Sequence, residues 1–81
     1  RWTIMGFVPV RSPREIERFV LSRGFSFVSQ RGSHRKYRNA EGRATVIPFH
    51  SGRDISPVLF RKILEDLDSS VDDARSFFGE G

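Results

Sequence analysis

The chain has 81 residues, 37% of them hydrophobic, so we expect one small domain with a modest core and no large enclosed active site. It contains no cysteine, which excludes disulfide scaffolds and cysteine-based zinc fingers. The lack of cysteine agrees with a reducing cytoplasm, where we expect the protein to act. No apolar run is long enough to predict a membrane span, so we expect no membrane partner.

The charge is distributed unevenly along the chain. Residues 1–63 carry 13 Lys and Arg against 4 Asp and Glu, whereas residues 64–81 carry 1 against 6. Twelve of the 14 cations are Arg, whose planar guanidinium pairs well with phosphate. This pattern favours a nucleic-acid-binding front and an acidic tail, and the alternative is an ordinary solvated surface.

The first part of the chain predicts an extended segment followed by a helix. Residues 1–11 are apolar and irregular, which predicts a lead-in that covers an edge of the core. Ser12 and Glu15 have the spacing of a capping box, with Pro at the first helical position between them. Apolar residues at helical spacing continue until Gly24, which favours a left-handed cap. We therefore predict a helix over about Pro13–Arg23.

The middle of the chain predicts three strands joined by tight turns. The strands are Phe25–Ser29, Ser33–Arg38 and Ala44–Ile47, with turns at Arg31-Gly32 and Asn39–Gly42. Because these connections are short, they favour an antiparallel meander.

Two further helices are predicted after the strands. Ser56-Pro57 repeats the helix-start chemistry, and a stripe with helical spacing follows it: Phe60, Ile63, Leu64 and Leu67. Ser70 predicts the cap of a short last helix that ends near Phe78. The order α-β-β-β-α-α predicts an α+β fold with the helices on one face of a three-stranded antiparallel sheet. The other face is left for solvent or a ligand.

The second strand carries the most informative side chains. Since side chains alternate along a strand, His34, Lys36 and Arg38 share one face, and Arg35 and Tyr37 share the other. Tyr37 is the natural core residue, so the first three are expected to face outward. His34 is then placed as an acid/base group in a phosphate-binding surface, or it is a surface histidine that happens to lie in a basic strand.

The second histidine, His50, follows the third strand in a loop that also contains Arg53. Strand-end loops often carry function, although a solvated histidine bonded to the backbone is the more ordinary interpretation. No carboxylate flanks His34 or His50, so we do not expect a metal site. The sequence has no phosphate-loop pattern and no nucleophile elbow, and it predicts no cofactor.

Four segments in this order resemble the HicA (YcfA-like) toxin family, the ribonuclease half of HicAB toxin–antitoxin pairs. They are Gly24-Phe25, Gly32 to Arg38, Val46 to His50, and Leu59 to Leu64. The resemblance covers about residues 12–67, which would form the core of a single domain between the lead-in and a C-terminal helix in residues 68–81. Many members have a second histidine directly after the first, whereas this chain has Arg35 there.

The resemblance implies a double-stranded-RNA-binding-domain-like fold and a metal-independent mRNA endoribonuclease whose single catalytic histidine corresponds to His34. It also implies a HicB-type antitoxin as the inhibitory partner. We expect the residues around His34 and in the His50 loop to contact RNA: Arg31, Gly32, Ser33, Arg35, Lys36, Arg38, His50 and Arg53.

Two other functions stay open at this point. One is a non-catalytic RNA-binding module of the same fold, although duplex-RNA binders place lysines at the start of their last core helix and Ser56–Phe60 is apolar here. The other is an interaction protein whose basic face docks an acidic partner. Steep salt dependence of RNA affinity would distinguish an RNA binder from a protein-docking module.

Overall fold

The computed structural model describes residues 8–79, and these form six elements. In chain order they are α1 (Pro13–Ser22), β1 (Ser26–Arg31), β2 (His34–Arg38), β3 (Ala44–Pro48), α2 (Pro57–Leu67) and α3 (Val71–Phe77). The predicted α+β fold and its element order are confirmed. Residues 1–7 of the predicted lead-in, and residues 80–81 of the predicted C-terminal segment, lie outside the described residues.

The helices begin where the local sequence places their caps. The Ser12 hydroxyl accepts from the backbone N–H of Glu15 at 3.2 Å, and the Glu15 carboxylate accepts from the backbone N–H of Ser12 at 3.0 Å. Ser70 and Asp73 form the same reciprocal pair at α3. Gly24, with φ of 90°, lies just past the end of α1 in the conformation that its cap requires.

The sheet has the order β1-β2-β3, with both pairs antiparallel. The β1–β2 hairpin closes on the pair Arg31 and His34, so its turn is Gly32-Ser33. The predicted turn was one residue earlier, at Arg31-Gly32. Gly32 has φ of 56°, and a two-residue hairpin turn commonly needs a positive φ at its first central position. Glycine therefore sets the register that brings Arg31 opposite His34.

A bulge at Val28 changes which residues of β1 share a face with β2. Phe27 pairs with Tyr37, but the next pair is Ser29 with Lys36, so Val28 is the extra residue. Phe27 consequently lies on the Tyr37 side of the sheet, whereas Ser29 and the residues paired after it change faces. Simple alternation along β1 would have placed Phe27 and Ser29 on the same side.

The core lies between one face of the sheet and the helices. Tyr37 and Ile47 enter it from the sheet, and both are fully buried. The helices and the segments beside them contribute the other buried apolar residues: Val8, Ile16, Phe19, Val20, Phe25, Ile55, Phe60, Ile63, Leu64, Leu67 and Ala74. The predicted stripe on α2 is therefore confirmed as the core-facing side of that helix.

Residues 8–11, the described part of the lead-in, pack against the core and α2's preceding loop. Val8 is buried, and Arg11 forms an isolated antiparallel bridge with Ile55, whose N–H donates to the Arg11 carbonyl at 2.9 Å. The Arg11 guanidinium lies 4.9 Å from the centre of the Phe78 ring. Across residues 8–79, no helix has the length and apolar character needed to cross a membrane.

Candidate active site

The sheet face opposite the core carries a cluster of basic side chains around His34. Arg31 on β1 and Pro48 on β3 lie directly opposite His34, so their Cβ atoms are about 4.5–5.5 Å from its own. Lys36 lies two residues further along β2, on the same face. Together with Ser29 and Val46, the residues Arg31, His34 and Lys36 line a shallow depression of about 390 Å³.

Contacts on the opposite face fix the orientation of β2. The Tyr37 hydroxyl donates to the Glu17 carboxylate of α1 at 2.6 Å, and the Arg35 guanidinium lies 3.4 Å from the same carboxylate. Burial raises the pKa of the Tyr37 hydroxyl, and the bond to Glu17 raises it further, so the phenol stays a donor. With residues 35 and 37 held against α1, strand alternation turns His34 and Lys36 outward.

Arg35 is held on the helix-facing side by aromatic rings as well. Its guanidinium lies 4.7 Å from the centre of the Phe27 ring and 5.0 Å from that of Phe49. Arg35 was expected to contact RNA, but these contacts separate it from the surface around His34. Its position is that of a brace between the sheet and α1.

The structure brings the two histidines together. The backbone N–H of Phe49 donates to the Ser33 carbonyl at 2.6 Å, which continues the β2–β3 ladder one residue past Pro48. Because the Phe49 ring packs toward the core, the next side chain, His50, turns to the side of His34. The two ring centres are 6.1 Å apart, with planes at 80°.

A tight turn holds the loop that begins at His50. The backbone N–H of Arg53 donates to the His50 carbonyl at 3.1 Å, and Gly52 supplies the positive φ of 72° inside the turn. His50 and Arg53 also line a depression of about 590 Å³ beside the start of α1, which includes Arg14. The carboxylate side chain of Asp54 lines it too, so four titratable side chains border this second depression.

Both imidazoles are exposed, and neither has a hydrogen-bond or ion-pair partner among residues 8–79. Their ring nitrogens are therefore available to a ligand. Within the same residues, no group of three or more His, Cys, Asp or Glu is placed to hold a metal ion.

The remaining residues predicted to contact RNA are distributed along the surface. Gly32 and Ser33 form the turn beside His34, where Ser33 contributes its carbonyl to the Phe49 bond. Arg38 is exposed at the far end of β2, about 13 Å from His34 at the usual rise of a strand. It therefore lies at the opposite end of β2 from His34.

Sequence reasoning missed several residues that border His34. Ser29 and Val46 line the basic depression, and the bulge that brings Ser29 there has no clear signal in the sequence. A third depression, a groove of about 460 Å³, runs between β3 and α2 with His34 at its border. Its α2 wall consists of Leu59, Lys62, Ile63 and Asp66, of which only Ile63 was part of the predicted apolar stripe.

The fold and this surface define a small basic α+β protein with an open sheet face that presents an exposed histidine among cations. A sequence model of the HicA toxin of bacterial toxin–antitoxin systems matches residues 13–68, well over half of the chain. The protein belongs to this HicA toxin family, as the sequence motifs indicated. A search among curated proteins found no significant match. The matched region contains both His34 and His50.

Proposed function

We propose that this toxin is a metal-independent endoribonuclease that cleaves mRNA in the cytoplasm, with His34 as its general acid/base. The observation that carries the proposal is the exposed imidazole of His34 between Arg31 and Lys36, on the sheet face opposite the core. Membership of a toxin family agrees with an activity that arrests growth.

The proposed chemistry suits a small site because RNA supplies its own nucleophile. The 2′-OH attacks the adjacent phosphorus, so the protein must move protons and stabilise the charge that develops on the phosphate. His34 transfers a proton at the attacking 2′-oxygen or at the leaving 5′-oxygen. No cofactor enters this scheme.

The cations have separate roles in the proposal. Arg31 and Lys36 hold the scissile phosphate and stabilise its additional negative charge, since both line the depression with His34. Arg38 and Arg53 contact flanking phosphates. Arg35 is assigned to the brace with Glu17 and not to RNA, because its guanidinium is held between Phe27 and Phe49.

A HicB-type antitoxin is the proposed inhibitory partner. An inhibitor must cover the surface around His34, and acidic side chains would complement Arg31 and Lys36 there. The groove between β3 and α2 adjoins His34 and is bordered by Leu59 and Ile63, which offers the same inhibitor an apolar contact.

The decisive experiment compares RNA cleavage by the wild type and His34→Ala in the presence of a chelator. Removing the proton-transfer group is expected to lower the cleavage rate by about 10²–10⁴-fold. Growth arrest on expression should be lost with it. Since His34 is exposed and has no hydrogen-bond or ion-pair partner among residues 8–79, the thermal unfolding midpoint should stay near that of the wild type.

Two results would contradict the proposal. His34→Ala protein that still cleaves RNA and still arrests growth would remove His34 from the chemistry. Wild-type protein that binds RNA with steep salt dependence but never cleaves it would instead support the non-catalytic RNA-binding module.

A further inference from the structure

We propose that His50 is the second proton-transfer residue of this site and acts with His34 on opposite oxygens of one RNA phosphodiester. The inference rests on the proposed ribonuclease activity and deepens it, because it assigns two histidines where the family resemblance implies one.

The spacing of the two rings supports a shared phosphodiester. Their centres are 6.1 Å apart, and a proton-transferring hydrogen bond spans about 2.6–3.2 Å, so one phosphodiester lying across the exposed edges of the two rings is within reach of both. The planes of His34 and His50 are nearly perpendicular, at 80°. Each nitrogen lies in the plane of its own ring, so rings in two different planes can meet oxygens that leave phosphorus in different directions.

The backbone brings His50 to the face of the sheet that carries His34, whereas Arg35, the next residue after His34, faces the other side. Residue 35 follows His34 directly, but alternation puts it on the other face, where Arg35 is paired with Glu17. His50 arrives from the end of β3 instead. The short bond between the Phe49 N–H and the Ser33 carbonyl ties that strand end to the start of β2.

The state of both side chains also agrees with a catalytic pair. A histidine that serves the fold usually bonds to a carboxylate or to the backbone, but neither imidazole has such a partner among the described residues. Both rings are exposed on the same side of the β2–β3 ladder. Each therefore has a nitrogen free for the substrate.

The step balances with two histidines in opposite protonation states. One neutral imidazole takes the proton of the 2′-OH while the 2′-oxygen forms its bond to phosphorus. The other, as imidazolium, gives a proton to the 5′-oxygen while the bond between phosphorus and that oxygen breaks. The products are a 2′,3′-cyclic phosphate and a 5′-hydroxyl, and exchange with water restores both rings.

A sulfur-substituted substrate tests whether one histidine acts as the base and the other as the acid. The wild type is first used to map a cleavage site in an RNA oligonucleotide, and the same oligonucleotide is then made with sulfur as the bridging 5′-atom. A thiol has a pKa of about 8.5, so a thiolate leaves without a proton donor. Single-turnover rates of the wild type, His34→Ala and His50→Ala are measured on both substrates.

On the oxygen substrate, each variant should be slower than the wild type by about 10²–10⁴-fold. On the sulfur substrate, the variant that lacks the acid should recover to within about tenfold of the wild type, while the variant that lacks the base stays slow. The substrate thus also assigns which histidine is the acid. Ser51→Ala, in the same turn, is the matched control and should behave as the wild type on both.

His50→Gln and His50→Arg separate proton transfer from folding and from charge. Both should be as slow as His50→Ala, because neither glutamine nor arginine exchanges a proton at neutral pH. A residue that only binds RNA would instead raise KM, leave kcat unchanged and be rescued by arginine.

Three results would overturn the inference. They are wild-type rates for His50→Ala, rescue by His50→Arg, and failure of both alanine variants to recover on the sulfur substrate. The absence of any cleavage by the wild type would refute the proposed ribonuclease function itself, which is a different result from normal cleavage without His50.

Discussion

Glu17 joins the two inward-facing side chains of β2 to α1. Its carboxylate accepts from Tyr37 at 2.6 Å and pairs with Arg35 at 3.4 Å, so two inward residues of one strand converge on one group of α1. The Glu17 side chain is only 13% exposed, and the lower local dielectric strengthens both contacts relative to a surface pair. These contacts hold β2 in the orientation in which strand alternation turns His34 and Lys36 outward.

Tyr37→Phe tests the contribution of the single hydrogen bond from the Tyr37 hydroxyl to Glu17. The substitution keeps the ring in the core and removes the donor to Glu17, so the free energy of unfolding should fall by about 1–3 kcal/mol. Urea denaturation measures the change. RNA cleavage per folded molecule should be little affected, because Arg35 still holds β2 against α1.

A double-mutant cycle with Glu17→Gln provides the control for this prediction. The effects of Tyr37→Phe and Glu17→Gln should be strongly non-additive, because the two residues share one hydrogen bond. Additive effects would show that the Tyr37 hydroxyl contributes to stability through something other than Glu17.

At the scale of the elements, short sequence signals define where the helices start. The bulge in β1 determines which of its side chains share the sheet face with His34. Ser12 with Glu15, and Ser70 with Asp73, form capping boxes that can be recognised from spacing alone. The bulge at Val28 has the larger functional consequence, because it moves Ser29 and Arg31 to the face of His34. Without it, β1 would direct Arg31 toward the helices.

The capping boxes predict loss of stability in acid. Hydrogen bonds from the backbone and hydroxyl of Ser12 lower the pKa of Glu15 below its ordinary value of 4.5. The unfolded chain therefore takes up the proton more readily, so the stabilisation is present above the unfolded pKa and is lost as pH falls through the folded one. The thermal midpoint should therefore fall as pH drops through and below the ordinary value of 4.5.

Glu15→Gln should make this decline shallower, since glutamine keeps the capping geometry but does not titrate. The measurement is a series of thermal melts across this pH range. Glu41→Gln removes an exposed carboxylate of the β2–β3 turn that caps no helix, so its decline should match the wild type. If the thermal midpoint of Glu15→Gln fell with pH as steeply as that of the wild type, the acid sensitivity would belong to other groups.

At the scale of the whole molecule, the separation of charge along the sequence becomes a separation of surfaces. The cations near His34 lie on the open sheet face, whereas five of the ten acidic residues belong to α2, α3 and the segment that joins them. The resulting field draws a polyanion toward the sheet face and away from the C-terminal helices. The same field would guide an acidic antitoxin to the same place.

The salt dependence of RNA binding should identify the cations that contact phosphate. In a His34→Ala background that no longer cleaves, the logarithm of the binding constant should fall linearly with the logarithm of salt concentration. Each phosphate contact on a single strand contributes about −0.7 to this slope. Lys36→Ala should therefore reduce the slope by about 0.7, and filter-binding titrations at several salt concentrations measure it.

Arg18→Ala is the matched control, because it removes an exposed cation from α1 while the net charge changes equally. Its slope should equal that of the parent protein. Equal reductions by Lys36→Ala and Arg18→Ala would indicate that net charge, and not the sheet face, governs RNA binding.

The sequence by itself determined the element order, the helix caps and the outward direction of His34, Lys36 and Arg38. These depend on local periodicity and on residues three positions apart, which the chain displays directly. Only the tertiary structure decided that Arg31 faces the same way as His34, that Arg35 braces the sheet, and that His50 meets His34. Those placements depend on the bulge, on the register set by Gly32 and on the bond between Ser33 and Phe49. They join residues far apart in the chain, and no local pattern encodes a contact that strand pairing must first create.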